Sequence, residues 1–257
     1  MNRHLTETLQ KLGLGLLILI LWEAAARFGP WPELLFPGPG AVAKSLIEIS
    51  LDGRLLKGMI RSLSRLLQGY ALSVMVGIPL GLITARVSFF AKAVKPWILG
   101  LQALPSICWL PLALLWFGLS EAAILFVVVM GSLLAVAISA EDGVKAIQPQ
   151  LLSAAATLGI RGPRFYLGVL IPAAFPGIVT GLKLGWSFAW RALMAGELLF
   201  VSGGLGQLLT FGRDLLDVPL VMAVMVAIVA IGVLTDRVVF RGLEIRVRQR
   251  WGLAHSR

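Results

Sequence analysis

Of the 257 residues, 58% are hydrophobic and only 14% are charged, yet the net charge is +10 and the mean hydropathy +0.89. Soluble domains hold about 45–50% apolar residues, so a water-soluble fold of this length has no interior large enough for what this chain carries; the bilayer is its solvent and an all-α polytopic fold is expected. The basic excess argues against nucleic acid, because the cations lie between apolar runs and form no patch; in a membrane protein they mark cytoplasmic loops. The single cysteine, Cys108, excludes an internal disulfide and a thiolate metal cluster.

Six stretches approach the ~20 apolar residues needed to cross a bilayer. The first, residues 12–26, follows Arg3 and Lys11 and ends in Ala24-Ala25-Ala26, a pattern shared with signal peptides; the charges further along require a span here. Next comes Leu35-Phe36-Pro37-Gly38-Pro39-Gly40, then a stretch to Gln68 in which Lys44, Glu48, Asp52, Arg54, Lys57, Arg61 and Arg65 alternate with Leu and Ile. This spacing predicts an amphipathic helix lying at the membrane interface. Spans two to six are expected at residues 69–85, 97–117, 122–140, 173–200 and 219–239. Pro105 and Pro111 interrupt the third, where each removes a backbone donor and kinks the helix. A kinked segment of this kind either shapes a solute pathway or is simply covered by protein.

With the N-terminus inside, the cytoplasmic segments hold 14 of the 23 Lys and Arg residues, the outer segments 7, and two, Lys183 and Arg191, lie within span five. Both termini are therefore expected in the cytoplasm. The weak point is the outer amphipathic stretch, which carries 5 of the 7 outer cations. No segment between spans is long enough for a core of its own, so residues 1–257 read as one membrane domain.

The chain lacks a G-x-x-x-x-G-K-[ST] phosphate loop and is not expected to bind ATP itself. Its two histidines, His4 and His255, lie near opposite termini, which leaves no zinc site. Few acids fall inside spans, Glu197 being the clear case, and a proton-driven pump needs a chain of such groups. No nucleophile–base pair stands out, so no enzyme is expected. A secondary transporter or a channel subunit without an ATPase remains the alternative.

The loop at residues 149–165 is expected to hold a short helix that Pro149 opens and Gly159 closes, with a second helix starting after Gly162-Pro163 and Pro172 opening span five. A nearly uncharged helix this short is unstable alone. Either lipid or a soluble partner must cover it.

Ser153-Ala154-Ala155, then Gly159, then Val169-Leu170-Ile171-Pro172 resemble the cytoplasmic loop signature of binding-protein-dependent ABC importer permeases: Glu-Ala-Ala, three residues, Gly, nine residues, Ile-x-Leu-Pro. The spacing fits at every step, while Ser153 stands for the Glu, Val169 for the Ile and Ile171 for the Leu. Ser62–Gly69, Gly77-Ile78-Pro79-Leu80-Gly81, Leu104-Pro105, Trp109-Leu110-Pro111, Leu115-Trp116-Phe117-Gly118, Ala195-Gly196-Glu197-Leu198 and Gly203-Gly204-Leu205-Gly206 extend the likeness over roughly residues 35–240. They resemble the permeases for nitrate, sulfonates, taurine and bicarbonate.

The resemblance implies six spans with a cytoplasmic coupling helix between spans four and five, in the bacterial inner membrane. It implies a second permease copy, an extracytoplasmic solute-binding protein, and ATP-binding-cassette subunits that hold ATP and Mg; no cofactor belongs to this chain. Coupling to the ATPase would fall on Ser153, Ala154, Ala155, Leu158, Gly159, Arg161 and Pro172. ATP binding would swing the docked helices and open the pathway outward.

Span five holds the unusual polar residues. Lys183, Trp190 and Glu197 recur every seven residues, with Trp186 beside them, and Gly181, Gly185, Ala189, Ala192 and Gly196 form a small-residue stripe opposite. Charge at this depth costs ~2.5–3.5 kcal/mol on insertion scales, so these groups are expected inside the protein. They either line an anion pathway, with Pro105, Pro111, Lys183, Trp186, Trp190, Arg191 and Glu197 as its residues, or pair with one another. The small-residue stripe is read as a contact between two copies.

Overall fold

The computed structural model describes residues 3–32, 34–199 and 203–250. Among them no strand occurs. The helices are α1 (Arg3–Phe28), α2 (Pro39–Leu51), α3 (Arg54–Arg86), α4 (Ser88–Ala93), α5 (Lys95–Gln102), α6 (Leu110–Phe117) and α7 (Glu121–Lys145). They continue with α8 (Pro149–Thr157), α9 (Pro163–Phe165), α10 (Ile171–Glu197), α11 (Leu205–Asp214), α12 (Val218–Thr235) and α13 (Gly242–Arg250). A 3-10 turn at Ser106–Trp109 precedes α6, and π turns at Tyr166–Leu170 and Asp236–Arg241 join α9 to α10 and α12 to α13.

Four rods are long and apolar enough to cross a membrane: Arg54–Arg86, Glu121–Lys145, Pro163–Glu197 and Val218–Val247. The pair Lys95–Gln102 and Ser106–Phe117, bent by 102°, makes a fifth if counted as one span. Length and composition thus reach four or five among the described residues, against six expected. The remaining expected span, residues 12–26, falls within α1, whose leucines and isoleucines from Leu12 to Leu21 are exposed on every side. A helix apolar all round and unburied by its own chain needs lipid or another chain around it.

α7 is the centre of the bundle, packed most extensively against α10 and α3. Two ladders of small residues explain the approach. On α3, Gly69, Gly77 and Gly81 face Val128, Val136 and Ala140, so α3 runs parallel to α7; a methyl group on Gly69 would stand 2.6 Å from Val128. On α10, Gly177, Gly181, Gly185 and Gly196 face Gly143, Ser139, Val136 and Ile124, so α10 runs antiparallel. A methyl on Gly185 would stand 2.5 Å from Val136. Backbones this close gain dispersion and interhelical hydrogen bonds, the forces left when the solvent is as apolar as the side chains. One such bond joins Ser132 Oγ to Ser73 Oγ at 2.7 Å.

Several expectations are corrected. The small-residue stripe on span five is buried against α7 of the same chain and is not available to a second copy. The stretch from Pro39 to Gln68 is not one interfacial helix: Gly53, with φ of 76°, separates α2 from α3, and α3 runs unbroken into span two. Ser62 and Leu66, within the stretch read as interfacial, are buried, and Arg65, for which the sequence leaves snorkelling and facing protein both open, faces protein. Pro105 does lie at the break of span three, but Pro111 stands in the first turn of α6, where its missing N–H costs nothing. Pro172 stands in the first turn of α10, at the expected opening of span five, but the helix does not start afresh there. The rod begins at Pro163, and the π turn Tyr166–Leu170 takes up the distortion just ahead of the proline. Phe200, the expected end of that span, and the tail beyond Arg250 lie outside the described residues.

Candidate translocation and coupling sites

The sharp bend between α5 and α6 leaves non-helical backbone at the depth of the bundle, a feature tolerated where it lines a cavity. Here it does. Leu101, Gln102, Ala103, Leu104, Pro105 and Ser106 form one wall of a cavity of about 260 Å³. Met130, Gly131, Leu134 and Ala135, midway along α7, form the second wall, and Phe188 and Arg191 of α10 the third. Arg191 lies on the exposed face of α10, in line with Thr180, Leu184 and Ser187. Its Nε donates to Ser187 O at 3.2 Å, and the guanidinium stacks 4.6 Å over the Phe188 ring. Among the described residues its terminal amino groups have no hydrogen-bond partner. One fixed cation, one amide (Gln102) and one hydroxyl (Ser106) in an otherwise apolar cavity can orient a small oxyanion, since a guanidinium matches a planar or tetrahedral oxyanion with paired donors.

The other polar residues of span five go elsewhere. Glu197 is fully buried and never reaches this cavity. Its carboxylate accepts from Ser62 Oγ at 2.7 Å, Arg65 Nη1 at 2.8 Å and the backbone N–H of Gly206 at 3.0 Å. Ser62 Oγ in turn accepts the N–H of Leu205 at 2.9 Å. The carboxylate thus satisfies the first turn of α11 directly and through Ser62, placing negative charge at a helix N-terminus. A methyl on Gly204 would meet that carboxylate, one on Gly206 the Cβ and backbone of Glu197, and one on Gly203, with φ of 75°, the Arg61 guanidinium, which accounts for the glycines of Gly203-Gly204-Leu205-Gly206. Arg65 also holds Glu121, its Nε 2.6 Å from Oε2, so one arginine joins α3, α7 and α10.

Trp186 is buried with Leu66, Ile124, Val128, Leu193 and Phe240, edge-on to Tyr70 at 5.2 Å. Trp190 packs beside the same cluster and against Gly232. Lys183 lies 3.6 Å from Asp236 and 3.7 Å from Glu244, tying α10 to the π turn and α13. Helical spacing put these side chains on one stripe but carried no sign of what that stripe faces. Sequence reading missed Gln102 and Ser106 in the cavity wall. The signal for them was their place on either side of a proline break inside an apolar span.

At the other end of α7 the loop makes α8. Gly159, with φ of 68°, closes it in a Schellman arrangement: Ile160 N–H donates to Ala155 O and Gly159 N–H to Ala156 O, both at 3.0 Å. Leu152 and Ala155 face the bundle, while Leu151, Ala154 and Leu158, at helical spacing, face outward with Ser153, Gly159 and Arg161. Leu158 is 76% exposed, and it belongs to an apolar ridge standing off the bundle. Pro172 is half-buried within the long rod, remote from that ridge in sequence. Arg86, ending α3, stacks 5.2 Å over Phe165 and braces the segment that leads back to α10.

An α-helical membrane bundle with a mid-depth cavity at a broken helix and an uncovered helix beyond one end of its central rod is the architecture of a transport permease. The chain belongs to the family of binding-protein-dependent transport system inner membrane components, whose model matches residues 77–248. A relative from Methanocaldococcus jannaschii, named as an ABC transporter permease protein, is 34% identical over 236 residues, covering 90% of this chain and 88% of its own. The taurine transport system permease protein of Escherichia coli is 29% identical, with 91% and 84% covered, and the bicarbonate transport system permease protein of Synechocystis is 29% identical, with 85% and 81% covered. In fold, the chain superposes on an inward-facing structure of the methionine ABC transporter with a TM-score of 0.66 at 18% identity, over 76% of this chain and 96% of that one. A solved amino acid ABC transporter gives 0.65 at 18% identity, over 78% and 97%.

Proposed function

We infer that this permease carries a small oxyanion, of the sulfonate, taurine or bicarbonate kind, through the cavity at Arg191, driven by ATP that separate subunits hydrolyse with Mg. The observation that carries the reading is the conjunction of one half-tethered guanidinium with the Pro105 break in a cavity at mid-depth. Arg191 would take the anionic group, with Gln102 and Ser106 completing its hydrogen bonds. Because Thr180, Leu184, Ser187 and Arg191 lie on one open face of α10, a second copy placed against that face would close the pathway between two cavities. The ridge Leu151–Ala154–Leu158 would dock into a groove on the ATPase, with α8 held on the bundle by Leu152 and Ala155. Both termini and α8 would then face the cytoplasm, with a solute-binding protein delivering at the far side and α1 completing six spans.

The test is ATP-dependent uptake of labelled taurine, butanesulfonate and bicarbonate by vesicles carrying the native complex. Replacing Arg191 with Gln removes a charge-assisted contact of about 1.5–3 kcal/mol and is expected to lower uptake by about 10–150-fold, with the complex still assembled. Unchanged uptake in Arg191→Gln would sink the site. Uptake that ignores ATP but follows an ion gradient would replace the importer reading with a secondary transporter.

A further inference from the structure

The cations at the start of α3 oppose the charge rule that orients the rest of the chain, and they call for an account. Arg65 has one, in Glu121 and Glu197. Arg54, Lys57 and Arg61 instead gather on the rim of a second cavity, of about 530 Å³, between the first turns of α3 and α11. Gly203 and Gly204 form its floor, and Gly58, Ile60, Leu208 and Phe211 its apolar walls. Asp52 engages Arg54, its Oδ2 2.6 Å from Nε and its Oδ1 accepting the Arg54 N–H at 2.9 Å. That backbone hydrogen bond is the chief reason its carboxyl stays below the ordinary range. Lys57 and Arg61, one helical turn apart, have no carboxylate within 4 Å among the described residues.

The cavity therefore pairs two cations, with the Gln207 side chain held on the Gly203 N–H beside them, with walls that are otherwise hydrocarbon. A free inorganic anion gains nothing from Ile60, Leu208 and Phe211, whereas an anionic head bearing alkyl chains uses both. The surface beside it is apolar and open: Leu56 is 54% exposed and Leu215 59%. The cavity also lies at the Glu121 and Glu197 end of the bundle, opposite α8, where the long apolar rods begin and end.

We propose that this cavity binds a phospholipid from the leaflet opposite α8, with Lys57 and Arg61 on its phosphate and Ile60, Leu208 and Phe211 against the glycerol and first acyl carbons, and that it selects anionic over zwitterionic lipid. Such a site gives the misplaced cations a direct partner beyond the longer-range attraction of Lys57 to Asp52 and of Arg61 to Glu121, and it anchors α11, and through it the Glu197 network, to the membrane surface. It does not depend on the transported solute.

The test uses the full chain purified in uncharged detergent, with native mass spectrometry counting bound lipid. Phosphatidylglycerol is expected to bind at about 30-fold lower concentration than phosphatidylcholine of the same chains, the preference that two cations at an anionic headgroup imply. The double variant Lys57→Gln/Arg61→Gln should abolish that preference at an unchanged thermal midpoint. Lys44→Gln, a charge change outside the cavity, should keep it. Excess inorganic phosphate or methanesulfonate should leave the lipid bound. No preference for phosphatidylglycerol, a preference that survives the double variant, or displacement by either free oxyanion would overturn the proposal, the last in favour of a hydrophilic anion site.

Discussion

Glu197 shows how much of this bundle hangs on single polar side chains. It is a carboxylate with no exposure, paired with one arginine and completed by a hydroxyl and a backbone N–H. A buried pair of this kind is weak support for stability as such, but removing one partner is costly because the other charge stays behind. Glu197→Ala is expected to cost about 3–5 kcal/mol, read as a lowered midpoint of thermal denaturation in detergent. Glu197→Gln keeps an acceptor for Gly206 and should cost clearly less. Equal effects from the two would show that the charge of Glu197, and not an acceptor for Gly206, is what the site requires. The identity of Glu197 as the one acid inside span five was legible in the sequence. Its partners were not, because Ser62 and Arg65 lie more than 130 positions away and their segment read as interfacial.

Among the elements, α8 was legible in outline and α10 only in part. Pro149 and Gly159 punctuate α8 through local backbone chemistry, which a sequence displays directly. Gly159 has open space around it, so a side chain there meets no neighbour; the penalty of Gly159→Val lies in its φ of 68° alone, on the order of 1–2 kcal/mol for a β-branched residue. That variant should insert and assemble yet lose most of its transport, with ATPase activity no longer answering to solute. Solute-stimulated hydrolysis at the wild-type rate would dismiss α8 as the docking element. For α10 the periodicity revealed two stripes correctly, but a helix wheel has no compass. The small-residue stripe meets α7 of the same chain, and the aromatic stripe meets α3 and the C-terminal rod. The stripe left open is a third one, Thr180–Leu184–Ser187–Arg191.

At the scale of the whole molecule that open stripe makes a further expectation. If two copies meet there, Ser187→Cys in a Cys108→Ser background should cross-link into a covalent dimer in native membranes. Thr235→Cys, on a helix at the other side of α10, should not. Monomer alone under conditions that oxidise a control pair would move the copy–copy contact to another face.

The sequence by itself determined the solvent, the helical class, the caps of α8 and, through its likeness to known permeases, the transport family. The solvent, the class and the caps rest on composition, on runs of hydropathy and on backbone preferences within a few residues, while the family rests on the likeness of the loop and span motifs to known permeases. Only the tertiary structure decided which face of each helix is covered: that Arg65 turns inward to Glu197, that Trp186 is core, and that Arg191 and the Pro105 break share a cavity. Periodicity places residues on a common face, but in a bilayer lipid and protein interior are equally apolar. The side chains themselves therefore carry no mark of which one they will meet.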